Sequence, residues 1–184
     1  MSRAVFLDRD GTIVEDTGYL HEPAKVKLIP GAPEAIRRLN EAGFLVVVVS
    51  NQSGIARGLY TAAEYAAVQR RVNELLLTHE ARIDAAYFCP HHPEFTGPCE
   101  CRKPGPKLFR EAEAALDIDF TESWWVGDRL SDVEPARRLG VPGGAILVQT
   151  GDGKLYEKQA RSTDVMVVAD VARAVDEILR LRIV

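Results

Sequence analysis

An unbroken apolar run from Phe44 to Val49 is the feature that most restricts the fold of this chain. A strand with one face in water alternates apolar and polar residues, so a run without alternation is typical of a strand buried on both faces. Such strands occur in parallel sheets that are covered by helices on both sides. Gly43, directly before the run, suits the end of a helix around Glu34 to Ala42. The run therefore favours an α/β fold.

Further apolar runs recur along the chain and alternate with amphipathic segments. Predicted strands lie near 4–7, 44–50, 83–88, 123–126 and 144–148, with a candidate edge strand at 165–168. Because helical patterns separate these strands, we expect an α/β fold with a doubly wound, mainly parallel sheet.

Capping residues mark several predicted helix starts. The capping-box pattern is met by Thr61 with Glu64 and by Ser131 with Glu134. Pro135 would then lie in a first turn, where proline is tolerated. Asp170 is predicted to cap a last helix from Val171 to about Leu181.

Length and composition describe an ordinary soluble chain. The 184 residues predict a single domain over 1–184, and 46% hydrophobic with 27% charged residues suit a globular protein. The net charge of -4 argues against nucleic acid and anionic membrane as partners. The first apolar run is too short for a signal peptide, so we expect a cytoplasmic protein. A monomer is expected because no association helix is evident in the sequence.

Two carboxylates, Asp8 and Asp10, directly follow the first predicted strand. In open α/β sheets, ligands collect beyond the carboxyl ends of the strands. Two acidic side chains one residue apart can there divide the work of metal ligand, nucleophile and proton carrier. An ordinary acidic turn that uses Gly11 as a sharp exit is the alternative for this segment alone.

Two other strand ends carry polar groups. Residues 50–53, the sequence Ser-Asn-Gln-Ser, can donate hydrogen bonds to a phosphate or simply form a polar turn. Asp128 follows the strand at 123–126 and can join Asp8 and Asp10 around Mg²⁺, which prefers oxygen ligands.

All three cysteines lie within positions 89–101. An odd number of cysteines in a chain of this size does not suit a disulfide framework. Cys89, His91, Cys99 and Cys101 instead offer three thiolates and one imidazole, the closed tetrahedral set of a structural zinc site. The pattern favours His91 over His92 as the ligand. Three unrelated cysteines are the alternative.

Arg102 and Lys103 come directly after this predicted zinc loop at 89–103. An arginine fork can grip a phosphate at two points while a lysine supplies a point charge, so the pair indicates an anion site. A solvated basic loop is the common alternative. Asp132 either orients a metal-bound water, or positions Lys103, or is a first-turn acid favoured by the helix dipole.

Four motifs occur in order along the chain, namely D-x-D-G-T at 8–12, Ser50, Lys103 and G-D-x-x-x-D at 127–132. Together they resemble the phosphatases of the haloacid dehalogenase superfamily. Further segments refine the resemblance. These are D-R-D-G-T-I at 8–13, G-Y at 18–19, N-Q-S-G-I-A-R-G at 51–58, and C-P-H-H-P with C-x-C-R-K-P at 89–104. They are similar to the family of D-glycero-D-manno-heptose 1,7-bisphosphate 7-phosphatases and related histidinol phosphatases.

The resemblance implies a Rossmann-like haloacid dehalogenase fold and a magnesium-dependent phosphatase. The short segments after positions 13 and 60 indicate that no large cap domain covers the site. The implied reaction removes the 7-phosphate of the heptose bisphosphate, a small phosphorylated sugar. This step serves nucleotide-activated heptose and lipopolysaccharide core synthesis.

The resemblance also implies residue roles. Asp8 is the nucleophile that forms an aspartyl-phosphate, and Asp10 is the general acid/base. Mg²⁺ is held by Asp8, the backbone carbonyl of Asp10, and Asp128, while Ser50 and Lys103 take part in catalysis. The implied substrate-binding residues are Asp16, Thr17, Gly18, Tyr19, Ser50, Asn51, Gln52, Ser53, Arg102, Lys103 and Arg129.

Three other functions fit parts of the sequence. Histidinol phosphate, an intermediate of histidine biosynthesis, would use the same chemistry. A phosphoacceptor switch would phosphorylate Asp8 without turnover, which Asp10 argues against because an acid/base promotes hydrolysis. A zinc-dependent nucleic-acid module conflicts with the acidic net charge.

Overall fold

A parallel sheet organises the computed structural model, which describes residues 1–141, 144–163 and 165–181. Its strands are β1 (Ala4–Leu7), β2 (Leu45–Asn51), β3 (Ala85–Cys89), β4 (Trp124–Gly127), β5 (Ala145–Val148) and β6 (Met166–Val168). Neighbouring strands follow the order β3-β2-β1-β4-β5-β6, and each pairing is parallel. The predicted doubly wound sheet is confirmed, with β6 as the predicted edge strand.

Helices cover both faces of the sheet. They are α1 (Ala32–Glu41), α2 (Ser53–Ala56), α3 (Ala62–Leu77), α4 (Pro93–Thr96), α5 (Lys107–Leu116), α6 (Leu130–Arg138), α7 (Gly153–Arg161) and α8 (Val171–Arg180). One face packs against α1, α3 and α8, and the opposite face packs against α5 and α6.

Strand β2 shows why the unbroken apolar run is needed. Val46 and Val48 point into one core, whereas Val47 and Val49 point into the other. Side chains alternate between the two faces of a strand, and helices cover both faces here, so every position must be apolar. The burial expected from the sequence is confirmed.

Helix caps fix where the chain enters α3 and α8. The Thr61 and Glu64 capping box is present, and the Asp170 side chain accepts a hydrogen bond of 2.9 Å from the N–H of Arg173. The predicted box of Ser131 with Glu134 is wrong.

Helix α6 begins at Leu130, and the N–H of Arg129 donates instead to the Asp132 carboxylate at 2.9 Å. Only Asp128 and Arg129 separate β4 from α6, so the helix starts two residues earlier than the Ser131 pattern suggests. Pro135 consequently lies inside the helix, beyond its first turn.

The order of the strands creates a crevice between β1 and β4. The chain moves outward from β1 through β2 to β3, then returns to β4 on the other side of β1. Such a switch point leaves an open space beyond the carboxyl ends of the strands, where ligands bind. In the described residues, the segments 8–31 and 52–61 carry only short helical turns and isolated β-bridges, and they add no domain above this space. None of the described helices has the length and apolar character needed to span a bilayer.

Candidate active site

A cavity of about 390 Å³ opens beyond the carboxyl ends of β1, β2 and β4. Asp8, Asp10 and Lys103 line it, as do all the predicted substrate-binding residues except Thr17 and Ser50. Four further residues, which the motifs did not predict at the substrate site, line the cavity, and these are Leu20, Tyr60, Ser131 and Asp132. The structure therefore brings together residues from four separate segments of the chain, because the carboxyl ends of adjacent parallel strands meet at one edge.

Lys103 lies between two carboxylates at the floor of this cavity. Its ammonium nitrogen is 2.7 Å from Asp8 Oδ1 and 2.8 Å from Asp132 Oδ1, and it also donates to the Val49 carbonyl at 2.5 Å. Burial alone would lower the pKa of Lys103, but the charges of Asp132 and Asp8 raise it above the usual value. The lysine is therefore a fixed cation beside Asp8, and the alternative in which Asp132 positions Lys103 fits this geometry.

Asn51 holds the backbone of Lys103 in place. Its side-chain amide donates to the Lys103 carbonyl at 3.2 Å and accepts from the Lys103 N–H at 2.9 Å. These two hydrogen bonds tie the end of β2 to the loop that follows the cysteines. The accuracy of the Lys103 position thus depends on an amide that belongs to the predicted phosphate-binding segment.

Three carboxylates beside the cavity form a group that could hold a metal ion. Oxygens of Asp8, Asp128 and Asp132 lie within 4.8 Å of one another. Burial raises the pKa of Asp8 above its usual value, which Lys103 partly opposes, and burial with the Asp132 charge raises the pKa of Asp128 to about 7. Carboxylates held so close together in a buried position are stabilised as anions by a cation.

The environment of Asp128 fits a hard metal ion. Its Oδ2 accepts from the N–H of Asp152 at 2.8 Å, but its buried Oδ1 has no hydrogen-bond partner among the described residues. Gly11 and Gly151 press against the same carboxylate, since an added Cβ would lie 2.4 Å and 2.1 Å from Oδ2. Asp128 is therefore held rigidly with one free oxygen, as a Mg²⁺ ligand requires.

Asp10 faces the cavity from a different set of contacts. Arg9 donates to both of its oxygens, from Nε to Oδ1 at 3.1 Å and from Nη2 to Oδ2 at 2.9 Å. Gln52 donates to Asp10 Oδ2 at 2.8 Å and to Ser50 Oγ at 3.2 Å. The Asp10 side chain does not belong to the three-carboxylate group, so its carboxylate is free for a role other than metal binding.

The three cysteines converge, as the sequence predicted. The sulfur of Cys99 lies 3.7 Å from that of Cys89 and 3.8 Å from that of Cys101. The sulfurs of Cys89 and Cys101 are 2.7 Å apart. Sulfurs around a tetrahedral zinc are separated by about 3.8 Å, because each Zn–S bond is about 2.3 Å long. Two of the three separations match this value, the third is shorter, and three converging thiols are donors that suit zinc. A His91 ring nitrogen is not part of this group in the described residues, so the fourth ligand stays a prediction.

The cysteine loop also carries Arg102, whose guanidinium donates to the His91 carbonyl at 3.3 Å. His92 caps α4, and its ring also lies 3.2 Å from the guanidinium of Arg57. Arg57 packs over the Phe95 ring and does not line the cavity, whereas Arg102 does.

The opposite rim of the cavity is polar and partly exposed. Arg129 forms ion pairs with Asp152 at 2.8 Å and Asp16 at 3.5 Å, and the Asp16 carboxylate accepts from the N–H of Gly18. Tyr19 is about half exposed beside them. These groups therefore surround the mouth of the cavity while the carboxylates lie at its floor.

This arrangement agrees with comparisons to protein families. A family model described as haloacid dehalogenase-like hydrolase matches residues 5–86, and a second, HAD-hydrolase-like model matches residues 100–174. The first covers the ends of β1 and β2, and the second covers Lys103 and Asp128. Fold and site thus define a hydrolase of the haloacid dehalogenase superfamily.

Individual relatives refine this class. A D-glycero-β-D-manno-heptose-1,7-bisphosphate 7-phosphatase of Yersinia pestis is 40% identical over 178 residues, covering 94% of each chain. A Shigella flexneri protein of the same name is 44% identical over 153 residues, covering 80% of each chain. The crystal structure of a D,D-heptose 1,7-bisphosphate phosphatase from B. bronchiseptica, complexed with magnesium and phosphate, has a TM-score of 0.87 at 34% identity and covers 97% of this chain and 99% of that one. The chain belongs to the family of these heptose bisphosphate phosphatases.

Proposed function

We propose that the protein removes the 7-phosphate from D-glycero-D-manno-heptose 1,7-bisphosphate in a magnesium-dependent reaction. The observation that carries the proposal is that Asp8 and Lys103 meet at the floor of one cavity, which Asp10 also lines. The buried Asp128 carboxylate lies within 4.8 Å of Asp8. The names of the relatives supply the substrate. The product would serve nucleotide-activated heptose and the lipopolysaccharide core.

In the first step, a carboxylate oxygen of Asp8 attacks the phosphorus of the substrate. The bond between phosphorus and the sugar oxygen breaks, and the proton of a protonated Asp10 goes to that oxygen. Lys103, held 2.7 Å from Asp8 Oδ1, offsets the negative charge that gathers around the phosphoryl group. The result is an aspartyl-phosphate on Asp8 and a free sugar hydroxyl.

In the second step, Asp10 acts as a base. It takes a proton from a water molecule whose oxygen attacks the phosphorus, and the bond between phosphorus and Asp8 breaks. Asp8 is regenerated, phosphate leaves, and Asp10 is again protonated. Ser50 lies under Gln52 and supports this side of the site.

Mg²⁺ would be held by Asp8, Asp128 and the backbone carbonyl of Asp10, and it would neutralise phosphate oxygens during transfer. The free Oδ1 of Asp128 and the surrounding glycines support this assignment. Zinc would be held by Cys89, Cys99, Cys101 and His91 and would keep the loop that carries Arg102 folded.

The substrate would lie across the cavity mouth. Arg102 and Arg129 stand on its rim and would attract a substrate that carries a second phosphate. Residues 16–19 and 51–53 would hydrogen-bond the sugar between these two cations. Histidinol phosphate, which carries a positive charge, would gain nothing from the rim arginines.

Several wider predictions accompany this proposal. We propose one catalytic domain over 1–184, because β1 to β6 belong to one sheet. We also propose a cytoplasmic, monomeric protein that uses neither nucleic acid nor membrane; the three free thiols suit a reducing compartment.

Phosphate release with Mg²⁺ tests the proposal. We would compare kcat/KM for the α and β anomers of heptose 1,7-bisphosphate with kcat/KM for histidinol phosphate. A preference for either heptose anomer supports the proposal, and a preference for histidinol phosphate overturns the substrate assignment. If none of the three substrates is turned over, the proposed reaction is wrong.

A further inference from the structure

Arg9 is a completely buried arginine beside the cavity, and the proposed reaction gives it no role. Its exposed fraction is 0%, and it is among the largest fully buried side chains. Burying a cation is costly, and replacing a buried ion pair by apolar residues often stabilises a protein. A folding requirement alone would be met more simply by an apolar side chain. The position of this cation therefore suggests a contribution to function.

The guanidinium contacts the Asp10 carboxylate through two nitrogens, and its Nη2 also donates to Gln52 Oε1 at 3.4 Å. Its Nε and Nη2 contact the two carboxylate oxygens at 3.1 Å and 2.9 Å, an arrangement that fixes both the position and the plane of the carboxylate. The Gln52 amide adds a third donor at 2.8 Å on Oδ2. Asp10 thus has little rotational freedom although its side chain is 23% exposed to the cavity.

Two tyrosines hold these donors in turn. The Tyr65 ring lies under the Arg9 guanidinium, 4.9 Å from its central carbon to the ring centroid. The Tyr60 hydroxyl donates to Gln52 Oε1 at 2.6 Å, which fixes the amide so that its N–H₂ group points to Asp10. A layer of buried side chains therefore stands behind the carboxylate.

We propose that Arg9 is a positioning residue that orients Asp10 for both proton transfers. This inference rests on the proposed function, since it assigns a partner to the general acid/base. Arg9 does not touch substrate; it holds the carboxylate so that the proton reaches the sugar oxygen in the first step and is taken from water in the second. Loss of Arg9 should then impair proton transfer and leave the attack by Asp8 intact.

Kinetics with two leaving groups tests this role. Heptose bisphosphate needs a proton on its leaving oxygen, whereas p-nitrophenyl phosphate has a leaving group that departs without one. We would compare Arg9→Met and Arg9→Lys with wild type. Asp10→Asn serves as the reference, and Arg70→Met, at an exposed position on α3, as the matched control.

For Arg9→Met we expect kcat on heptose bisphosphate to fall about 100-fold, at the low end of general acid/base contributions, with KM changed less than about threefold. On p-nitrophenyl phosphate we expect a fast burst of about one nitrophenol per enzyme, then slow turnover, because water activation is still impaired. Asp10→Asn should give the same pattern, Arg9→Lys a weaker one and Arg70→Met none.

Tyr65→Leu is the second variant, to be used if Arg9→Met does not fold. It removes the ring that packs against Arg9 and keeps the Arg9 charge. We expect the same burst pattern with a loss of about tenfold. Wild-type kcat in folded Arg9→Met, or a loss of the burst itself, would overturn the inference. A wild-type enzyme that releases no phosphate and traps no phosphoenzyme would instead overturn the proposed function.

Discussion

Replacing Lys103 by methionine tests the charge arrangement at the floor of the cavity. The lysine side chain is only 2% exposed, and its nitrogen lies 2.7 Å and 2.8 Å from Asp8 and Asp132. Methionine keeps most of the volume, so the change removes a charge rather than creating a cavity. Removing one partner of a buried ion pair costs about 3–5 kcal/mol, because the remaining charge is left without compensation.

We therefore expect the free energy of unfolding of Lys103→Met to fall by about 3–5 kcal/mol. For a chain of this size each kcal/mol lowers Tm by about 2–4 °C, so Tm should fall by about 6–20 °C. Urea denaturation with metal chelated measures the change, and Lys107→Met, at an exposed lysine, is the matched control. Phosphate release should be lost as well.

A second substitution separates charge from packing. Asp132→Asn removes one of the two carboxylates that Lys103 contacts, yet its amide oxygen can still accept from the N–H of Arg129. The double variant Lys103→Met/Asp132→Asn should therefore recover about half of the lost stability. If Lys103→Met loses less than about 1 kcal/mol, or if the double variant is no more stable, the argument from buried charge is wrong.

Three further changes probe other parts of the site. Asp8→Asn should abolish phosphate release with Tm within a few degrees of wild type, whereas near-normal release would refute the nucleophile assignment. Gly151→Ala would place a Cβ 2.1 Å from Asp128 Oδ2, so Mg²⁺ affinity measured by calorimetry should fall at least about tenfold. Gly140→Ala, which also has positive φ but open space, should leave that affinity unchanged. Cys99→Ser should lower bound zinc, measured by elemental analysis. It should weaken substrate binding, seen as a higher KM, more than it disturbs the fold, seen as a small change in Tm.

The sheet and the strand-end residues could be predicted because they follow from local rules. Unbroken apolar runs identify strands buried on both faces, and parallel strands bring their carboxyl ends to one edge. Asp8, Ser50 and Asp128 each follow such a run, so their proximity is a consequence of topology. The Thr61 cap was also predictable, since its pattern involves residues only three positions apart.

Other features depend on contacts that the sequence does not reveal. Arg9 stands between two acids in a turn-like segment, where an exposed arginine would give the same pattern, and only the packing of α3 places the Tyr65 ring beneath it. Tyr60 lies just after the N-Q-S-G-I-A-R-G segment at 51–58, and no spacing rule predicts that its hydroxyl returns to Gln52. The predicted start of α6 was wrong because Ser131 and Asp132 are both residue types found at helix starts. The short connection from β4 places Asp132, and not Ser131, where its side chain bonds the first backbone N–H.

The charges around the cavity explain how these parts work together. Among the described residues, four carboxylates face two buried cations, and these are Asp8, Asp10, Asp128 and Asp132 with Arg9 and Lys103. When all six groups are ionised, two negative charges are left without a partner. Burial, and after it the charge of Asp132, raise the pKa of Asp8 and Asp128. A divalent cation would balance these charges and keep both carboxylates ionised. The rim arginines 102 and 129 would then determine which phosphorylated molecules enter the cavity.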